Sequence, residues 1–354
     1  AMSARDSSEL VARPTLVVDE RDQLGLDLLE LAIRESAEGL YRCEALLNNW
    51  DNTGNGAGFL HFDRRTLEFG KRFEVRLGND TLFDGRIMAL QADFPEAGRV
   101  PRLRVLADDR LQDLRMTRRS RTLADVSDSD AIGRIARDHG LTAQVDLSGP
   151  KHKILAQVNQ SDLAFVRERA RTAGAEVWMA GSTLHVAPRN QRQGGCLTLA
   201  HGGLLREFSV IADLAGQHSK VTLGGWDVAS KSAIKGEAEA AALGGELGDD
   251  ESGAAILKSA LGERRQSVAH TVPLAADEAR THAEARFRAA ARRFVVGRGV
   301  AETDPAIRVG ATVDLQGLGP LFSGKYYVCE TQVRFDGEGL RTEFTGERPG
   351  LGRP

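Results

Sequence analysis

The sequence predicts a mainly β protein with α elements. It reads as an α+β chain of two related tube-like antiparallel β-barrels, with a small α/β module inserted between them and a helical insertion further on. The first observation is a repeat. Gly70 to Gly78, followed by Leu82-Phe83-Asp84-Gly85-Arg86-Ile87, returns as Gly310 to Gly317, followed by Leu321-Phe322-Ser323-Gly324-Lys325-Tyr326, with a one-residue gap in the turn. A unit that recurs only after most of the chain is not a solenoid, whose repeats follow one another directly. The second is period-two alternation, as in Phe73-Glu74-Val75-Arg76-Leu77, which buries one face and wets the other. The third is a switch to helical period in the middle of the chain. Length agrees: 354 residues exceed one ordinary core and, at about 100–200 residues per domain, imply two or three.

In chain order, residues 1–14 read as a flexible tail and 15–116 as the first barrel. Residues 117–190 read as the α/β module, 191–350 as the second barrel interrupted at about 229–295, and 351–354 as a tail. Strand signals start at Thr15-Leu16-Val17-Val18 and run through Tyr41 to Leu47, and Asn52 to Gly58 is a loop rich in residues that accept positive φ. Gly78-Asn79-Asp80 turns the chain back into Leu82-Phe83, and Arg102 to Leu106 adds a strand. The positions expected to be equivalent in the two barrels are Gly70, Phe73, Val75, Leu77, Phe83 and Gly85, matched by Gly310, Val313, Leu315, Phe322 and Gly324.

In the module, Ile132, Ile135 and Ala136 fall at helical spacing between a cap at Ser127 or Asp128 and a stop at Gly140. Ser161-Asp162 caps a second helix that carries Leu163, Val166 and Ala170 and closes at Gly174, and two strands follow, joined at Ala180-Gly181. Strands resume at Leu197 and continue through Ser219 to Trp226. The Ala/Gly/Glu-rich stretch from Lys235 to Gly262 is expected to be weakly ordered, and Asp277 to Phe294 to form an amphipathic helix.

Composition excludes several classes of partner. Net charge is −3, so no global field draws the chain to nucleic acid or to an anionic membrane. No stretch approaches the apolar length of a membrane span, and the polar run Ala1 to Pro14 lacks the core of a secretory signal. Cys43, Cys196 and Cys329 form no CxxC pair, which fits folding in a reducing compartment with buried thiols.

No motif reads as an active site, a metal site or a cofactor site. Gly319 to Lys325 satisfies GxxxxGK, yet Tyr326 follows where Ser or Thr should bind magnesium, and the segment enters a strand instead of opening a helix. Ser148-Gly149-Pro150-Lys151 has SxxK spacing but sits in a glycine-proline loop without companion motifs. The histidines are scattered, and the acidic runs Asp108-Asp109 and Asp249-Asp250-Glu251 read as solvated surface. Arg115, Arg118, Arg119 and Arg121 form a basic knot, read as a wet linker or an interface cation set rather than a phosphate site.

The segment Gln157-Val158-Asn159-Gln160-Ser161-Asp162-Leu163-Ala164-Phe165-Val166-Arg167-Glu168-Arg169-Ala170, with Gly174-Ala175-Glu176-Val177-Trp178, resembles the phage late control D family. That family comprises hub proteins of contractile tails and the N-terminal hub part of VgrG-type spike proteins of type VI secretion. Asp125 to Ile132, His139-Gly140-Leu141, Gly224-Gly225-Trp226-Asp227 and the hairpins from Gly310 to Thr345 extend the resemblance over most of the chain.

The resemblance implies a non-enzymatic baseplate hub without cofactors: a homotrimer whose six barrels face a hexameric tail tube protein on one side and a threefold spike protein on the other, among other baseplate components. It implies assembly in the bacterial cytoplasm and incorporation into the tail or injection particle. Spike-bearing relatives continue into an OB-fold and a β-helix, whereas this chain stops at Pro354, so a separate spike and a hub fragment of a VgrG protein both stay open. Readings of a different class are a tail-associated peptidoglycan-degrading enzyme and a cell-wall-binding module.

Overall fold

The computed structural model describes residues 13–22, 24–52, 56–96, 99–192, 194–227, 230–269 and 275–353. Most of the expected N-terminal tail, residues 53–55 of the Asn52 to Gly58 loop, and Pro354 lie outside the described residues.

The alternating segments form the first sheet. Strands β1 (Thr15–Val18), β2 (Leu28–Ser36), β3 (Arg42–Asn48), β4 (Arg72–Leu77), β5 (Asp80–Asp93) and β6 (Arg102–Asp108) pair antiparallel in the order β1-β4-β5-β6-β3-β2. Ile33, Cys43, Phe73, Val75, Phe83, Ile87 and Val105 are buried together in its core. Leu77, at the turn, is only partly buried against them.

The module follows. Its strands are β7 (Arg118–Val126), β8 (Thr142–Val145), β9 (His152–Ser161), β10 (Ala175–Ala180) and β11 (Thr183–Pro188), and its helices are α1 (Asp128–Asp138) and α2 (Asp162–Thr172). β7 pairs with β9, and the other three form a sheet in the order β8-β11-β10. Ser127 and Asp130 cap α1 reciprocally, and the Ser161 hydroxyl accepts the Ala164 amide at the start of α2. β7 is not apparent in the sequence, because Arg118, Arg119 and Arg121 crowd its first four positions and read as a linker.

The second sheet comprises β12 (Cys196–Ala200) and β13 (Leu205–Ala212), then, beyond an insert, the strands that complete it. The insert holds β14 (Lys220–Asp227), β15 (Ser232–Ala238), α3 (Gly253–Leu261), β16 (Arg265–Val268) and α4 (Ala276–Ala291). It is followed by β17 (Val295–Glu302), β18 (Thr312–Gln316), β19 (Gly324–Asp336) and β20 (Gly339–Arg348), and the sheet order is β12-β18-β19-β20-β17-β13.

Strands β2 to β6 correspond in order to β13, β17, β18, β19 and β20. Irregularities match as well as neighbours do. β2 has a bulge between Leu28 and Glu30, and β13 has one between Leu205 and Glu207. β5 has a bulge between Ile87 and Ala89, and β19 has one between Val328 and Glu330. The repeat glycines also make the same bond: Gly70 donates to the Ile87 carbonyl at 2.8 Å and Gly310 to the Val328 carbonyl at 3.0 Å. The flanking strands differ, because β1 runs antiparallel to β4 whereas β12 runs parallel to β18.

Register corrects the sequence match. Phe73 opposes Gly85 and Val75 opposes Phe83, while Val313 opposes Tyr326 and Leu315 opposes Gly324. The counterpart of Gly85 is therefore Tyr326, and that of Phe83 is Gly324. Phe322 lies in none of these strands: Gly319–Phe322 forms a helical turn that lengthens the second connection. The displacement is two residues, so side chains keep their faces despite it.

Two further expectations are revised. The insert begins after Ala212, not near residue 229, because β14 joins β15 and β16, where Val221 and Leu223 pack on Ala279, Ala283 and Phe287 of α4. The Lys235 to Gly262 stretch forms strand, 3-10 turns and helix instead of a weakly ordered run. The Ser252 hydroxyl caps α3, and Ala254 and Leu257 are buried.

The two sheets are one continuous surface. The far half of β19 leaves β18 and pairs antiparallel with β2, with Glu330 opposite Ser36, Val333 opposite Ile33 and Phe335 opposite Leu31. Val333 and Phe335 thereby enter the core of the first sheet.

The glycines of the hairpins differ in what they tolerate. A Cβ on Gly85 would strike the Asp108 carbonyl and come within 2.6 Å of the Phe83 ring, whereas one on Gly324, at φ +127°, meets only the end of the Arg348 side chain at 2.8 Å. Gly85→Val is expected to cost roughly 3 kcal/mol and Gly324→Val about 1–2 kcal/mol of backbone strain. Urea unfolding of the two variants checks the order.

Candidate functional site

Two features concentrate polar chemistry: a buried ionic joint where the sheets meet the module, and a concave polar face. At the joint, strand β10 projects Glu176, which is 8% exposed, into the gap between the two sheets. Its carboxylate accepts from Arg189 Nε at 3.0 Å, from Arg192 Nη1 at 3.0 Å and from the Tyr327 hydroxyl at 2.5 Å. Arg189 also pairs with Glu347 of β20 at 2.7 Å and lies 3.9 Å over the Tyr327 ring. Arg192 donates to the Tyr41 hydroxyl and sits 4.7 Å over Trp178.

The repeat glycine Gly310 has a second use here, because a Cβ on it would collide with the Arg192 side chain. Gly70 has open space at that point and is needed only for its φ of +78°. A second node lies nearby. Arg308, just before β18, pairs with Glu35 of β2, which also accepts the Val309 amide at 3.1 Å.

Burial dominates the titration of this region. It raises Tyr41, with the Glu35 charge adding to the effect, and raises Tyr327, with Glu176 adding. Arg189 is raised although burial opposes it, because the Glu347 and Glu176 charges outweigh desolvation. Asp109, buried and accepting the Tyr41 and Leu111 amides, is pushed up to about 7 by desolvation against those hydrogen bonds, with Asp108 adding to the rise and Arg167 opposing it.

The sequence placed Asp108 and Asp109 on a wet surface; both are 4% exposed. Cys196 is exposed and Cys329 half-buried, so of the expected buried thiols only Cys43 is fully enclosed.

Three arginines of the basic knot are absorbed within the module, whereas Arg115 precedes β7 and lines the concave face. Arg121 Nη2 reaches Asp162 at 2.9 Å and Arg119 reaches it at 3.2 Å, while Arg118 donates to the Asn159 carbonyl. His139 and Gln157 complete the shell around Asp162. Burial works against its ionisation, but the hydrogen bonds from His139 and Gln157 and the charges of Arg121 and Arg119 hold its carboxyl below the usual range. The Gln-Ser-Asp-Leu segment is thus a structural cap.

The other motifs stay apart from both features. Lys325 is exposed on β19 after the short turn, and Ser148 and Lys151 lie exposed between β8 and β9. Among the described residues no group of three His, Cys, Asp or Glu side chains is placed to hold a metal ion, and no helix is long and apolar enough to cross a membrane.

The concave face runs across both sheets opposite their cores. It encloses about 940 Å³ and is lined by Arg34, Arg42, Ser209, Arg298, Gln332 and Glu343 among others. Its charges are largely matched, as in Arg34 with Glu44 at 2.8 Å and Arg334 with Glu343 at 3.4 Å. No joint or concave residue is a functional candidate in the sequence: Gly310 enters as a repeat glycine, Glu176 and Trp178 as part of a resemblance and Arg115 as part of the basic knot, while Arg189, Arg192 and the other concave arginines are charges among many that only the fold brings together.

Glu176→Gln leaves two buried guanidinium groups without their shared counter-charge and is expected to cost about 3–5 kcal/mol, read by denaturant unfolding with Trp178 fluorescence. Asp109 gives a pH signature. Its folded pKa of about 7 lies above the unfolded value, so the folded state retains the proton between the two, and stability falls as pH rises through that window. Wild type is expected to lose more melting temperature than Asp109→Asn between pH 5 and 8, in thermal scans of both proteins.

Comparison with solved structures finds the same fold in tail proteins. The 43 kDa tail protein of prophage MuSo2 from Shewanella oneidensis superimposes with a TM-score of 0.69 at 12% identity, over 95% of this chain and 98% of that one. A tail protein from Neisseria meningitidis gives 0.68 at 11% identity, over 96% and 97%. The c3393 protein of E. coli, described as a type VI secretion component similar to T4 bacteriophage tail proteins, gives 0.60 at 13% identity, over 96% and 79%. No curated protein matches by sequence. One family profile does, the Alg8 N-terminal domain, over residues 27–336. That match spans most of a chain whose fold is that of tail proteins, and the chain belongs to the Alg8 N-terminal domain family.

Proposed function

We propose that this chain is a structural baseplate hub of a phage tail or tail-like contractile injection system, a homotrimer that joins a hexameric tail tube to a threefold spike. The observation that carries this reading is the duplication of one sheet unit within a single polypeptide, down to both bulges. Three such chains present six similar units on one side while retaining threefold symmetry on the other. The two sheets are the tube-like units, their polar concave face lines the channel, and the module and insert brace them from outside.

A hub works by shape and must stay rigid under load, which is what the buried joint at Glu176 supplies. The fold it shares with tail proteins of two bacteria supports the same reading. The E. coli type VI component supports a hub placed in a secretion particle equally well. The proposed partners are the tail tube, the spike and other baseplate proteins. Assembly takes place in the bacterial cytoplasm before incorporation into the particle, and no catalytic step is assigned.

Mass photometry of the chain, alone and with tube and spike proteins encoded beside it, is expected to show a species of three times the 38.3 kDa chain mass. A stable dimer under all conditions overturns the proposal, as does clearing of a cell-wall zymogram by the purified chain.

A further inference from the structure

Among the described residues, β13 and the far half of β5 each leave one edge of the continuous sheet unpaired, and the internal junction shows what fits these two edges. β13 pairs with β17 on one side only. β5 pairs with β4 over Asp80 to Arg86, leaving the outer edge of Ala89 to Asp93 without a strand among the described residues. These two edges are the counterparts of the two that already meet inside the chain. By bulge and register, β13 is the copy of β2 and the far half of β5 is the copy of the far half of β19.

We infer that β13 of one molecule pairs antiparallel with the far half of β5 of a second copy of this chain, in the register of the internal β2–β19 junction. The inference rests on the hub reading for the identity of the partner, and it specifies the contact. Transferring the observed pairs of Ser36 with Glu330 through Leu31 with Phe335 gives six intermolecular ones. Asp213 faces Ala89, Ala212 faces Leu90, Ile211 faces Gln91, Val210 faces Ala92, Ser209 faces Asp93 and Phe208 faces Phe94.

The side chains agree with this register. The pairs that would face the core are Ala212 with Leu90, Val210 with Ala92 and Phe208 with Phe94, all apolar. A slip of one residue would set that apolar row against the polar face. In the single chain Ile211 is 61% and Phe94 67% exposed, whereas Phe335, the counterpart of Phe94, is 7% exposed where its strand is paired. Free edges are commonly blunted by proline, lysine or a bulge. Phe208 to Ala212 carries none of these, and the bulge at Leu205 recurs in the paired strand β2, so it does not serve as protection.

The test is a disulfide across the predicted pair, Gln91→Cys with Ile211→Cys, in a Cys196→Ser, Cys329→Ser background. Its internal reference is Arg34→Cys with Gln332→Cys, the equivalent pair already opposed within one chain. Under mild oxidation the reference should close within a monomer, and the test pair should give covalent dimers and trimers on non-reducing gels. Mixing the two single-cysteine variants should give covalent dimers only.

A test pair that stays monomeric while the reference closes and mass photometry shows trimers overturns the edge assignment and leaves the hub reading standing. Equal yield from Gln91→Cys with Ser209→Cys, two residues out of register, also overturns it. Covalent coupling in register without any native trimer supports the edge assignment and removes the trimeric hub.

Discussion

Backbone pairing between β2 and the far half of β19 is the constraint on which the rest depends. It turns two duplicated sheets into one surface and places Val333 and Phe335 in the core of the other unit. It also aligns the concave face across both units. Such pairing is generic in its hydrogen bonds and specific in its side chains, so the same sequence-level unit can serve inside a chain and between chains. Duplication with divergence has given the inner junction what a hinge would lack. Arg308 with Glu35, and Glu176 with Arg189 and Arg192, fix the units at an angle that hydrogen-bonded strands alone would let twist. Buried ion pairs add little net stability relative to apolar packing; their value here is that charge and hydrogen-bond geometry admit one arrangement.

Much of the architecture was legible in the sequence. The Gly70 and Gly310 segments carry the alternation and the positive-φ glycines that a repeated hairpin needs, and Ser127, Ser161, Gly140 and Gly174 mark the module helices by capping chemistry. The errors have physical causes. The Leu-Phe and Gly-cation matches placed Phe322 and Gly324 two residues out, because a helical turn in the second connection has no counterpart in the first. The alternation of Lys220 to Trp226 is as good as that of any barrel strand, and only its packing on α4 tells which sheet it serves.

The polar joint was not legible at all. Glu176 and Arg192 lie sixteen residues apart in sequence, and Tyr41 and Tyr327 come from opposite ends of the chain. Asp108-Asp109 reads as surface because two adjacent acids usually are, yet the end of β6 carries both inward. Burial of charge is a tertiary property: the partners that make it tolerable are assembled by topology, not by local pattern.

The wide separation of the junction's two strands has a consequence for how the molecule is made. Leu31 is synthesised about 300 residues ahead of its partner Phe335, so on a translating ribosome β2 stays an open template while all of the intervening chain is made. Contacts of such long range are slow to form and expose apolar surface while they wait. The first sheet must therefore remain soluble as a half-finished object, and Arg34 and Glu30 on the β2 face that stays wet are suited to that interval.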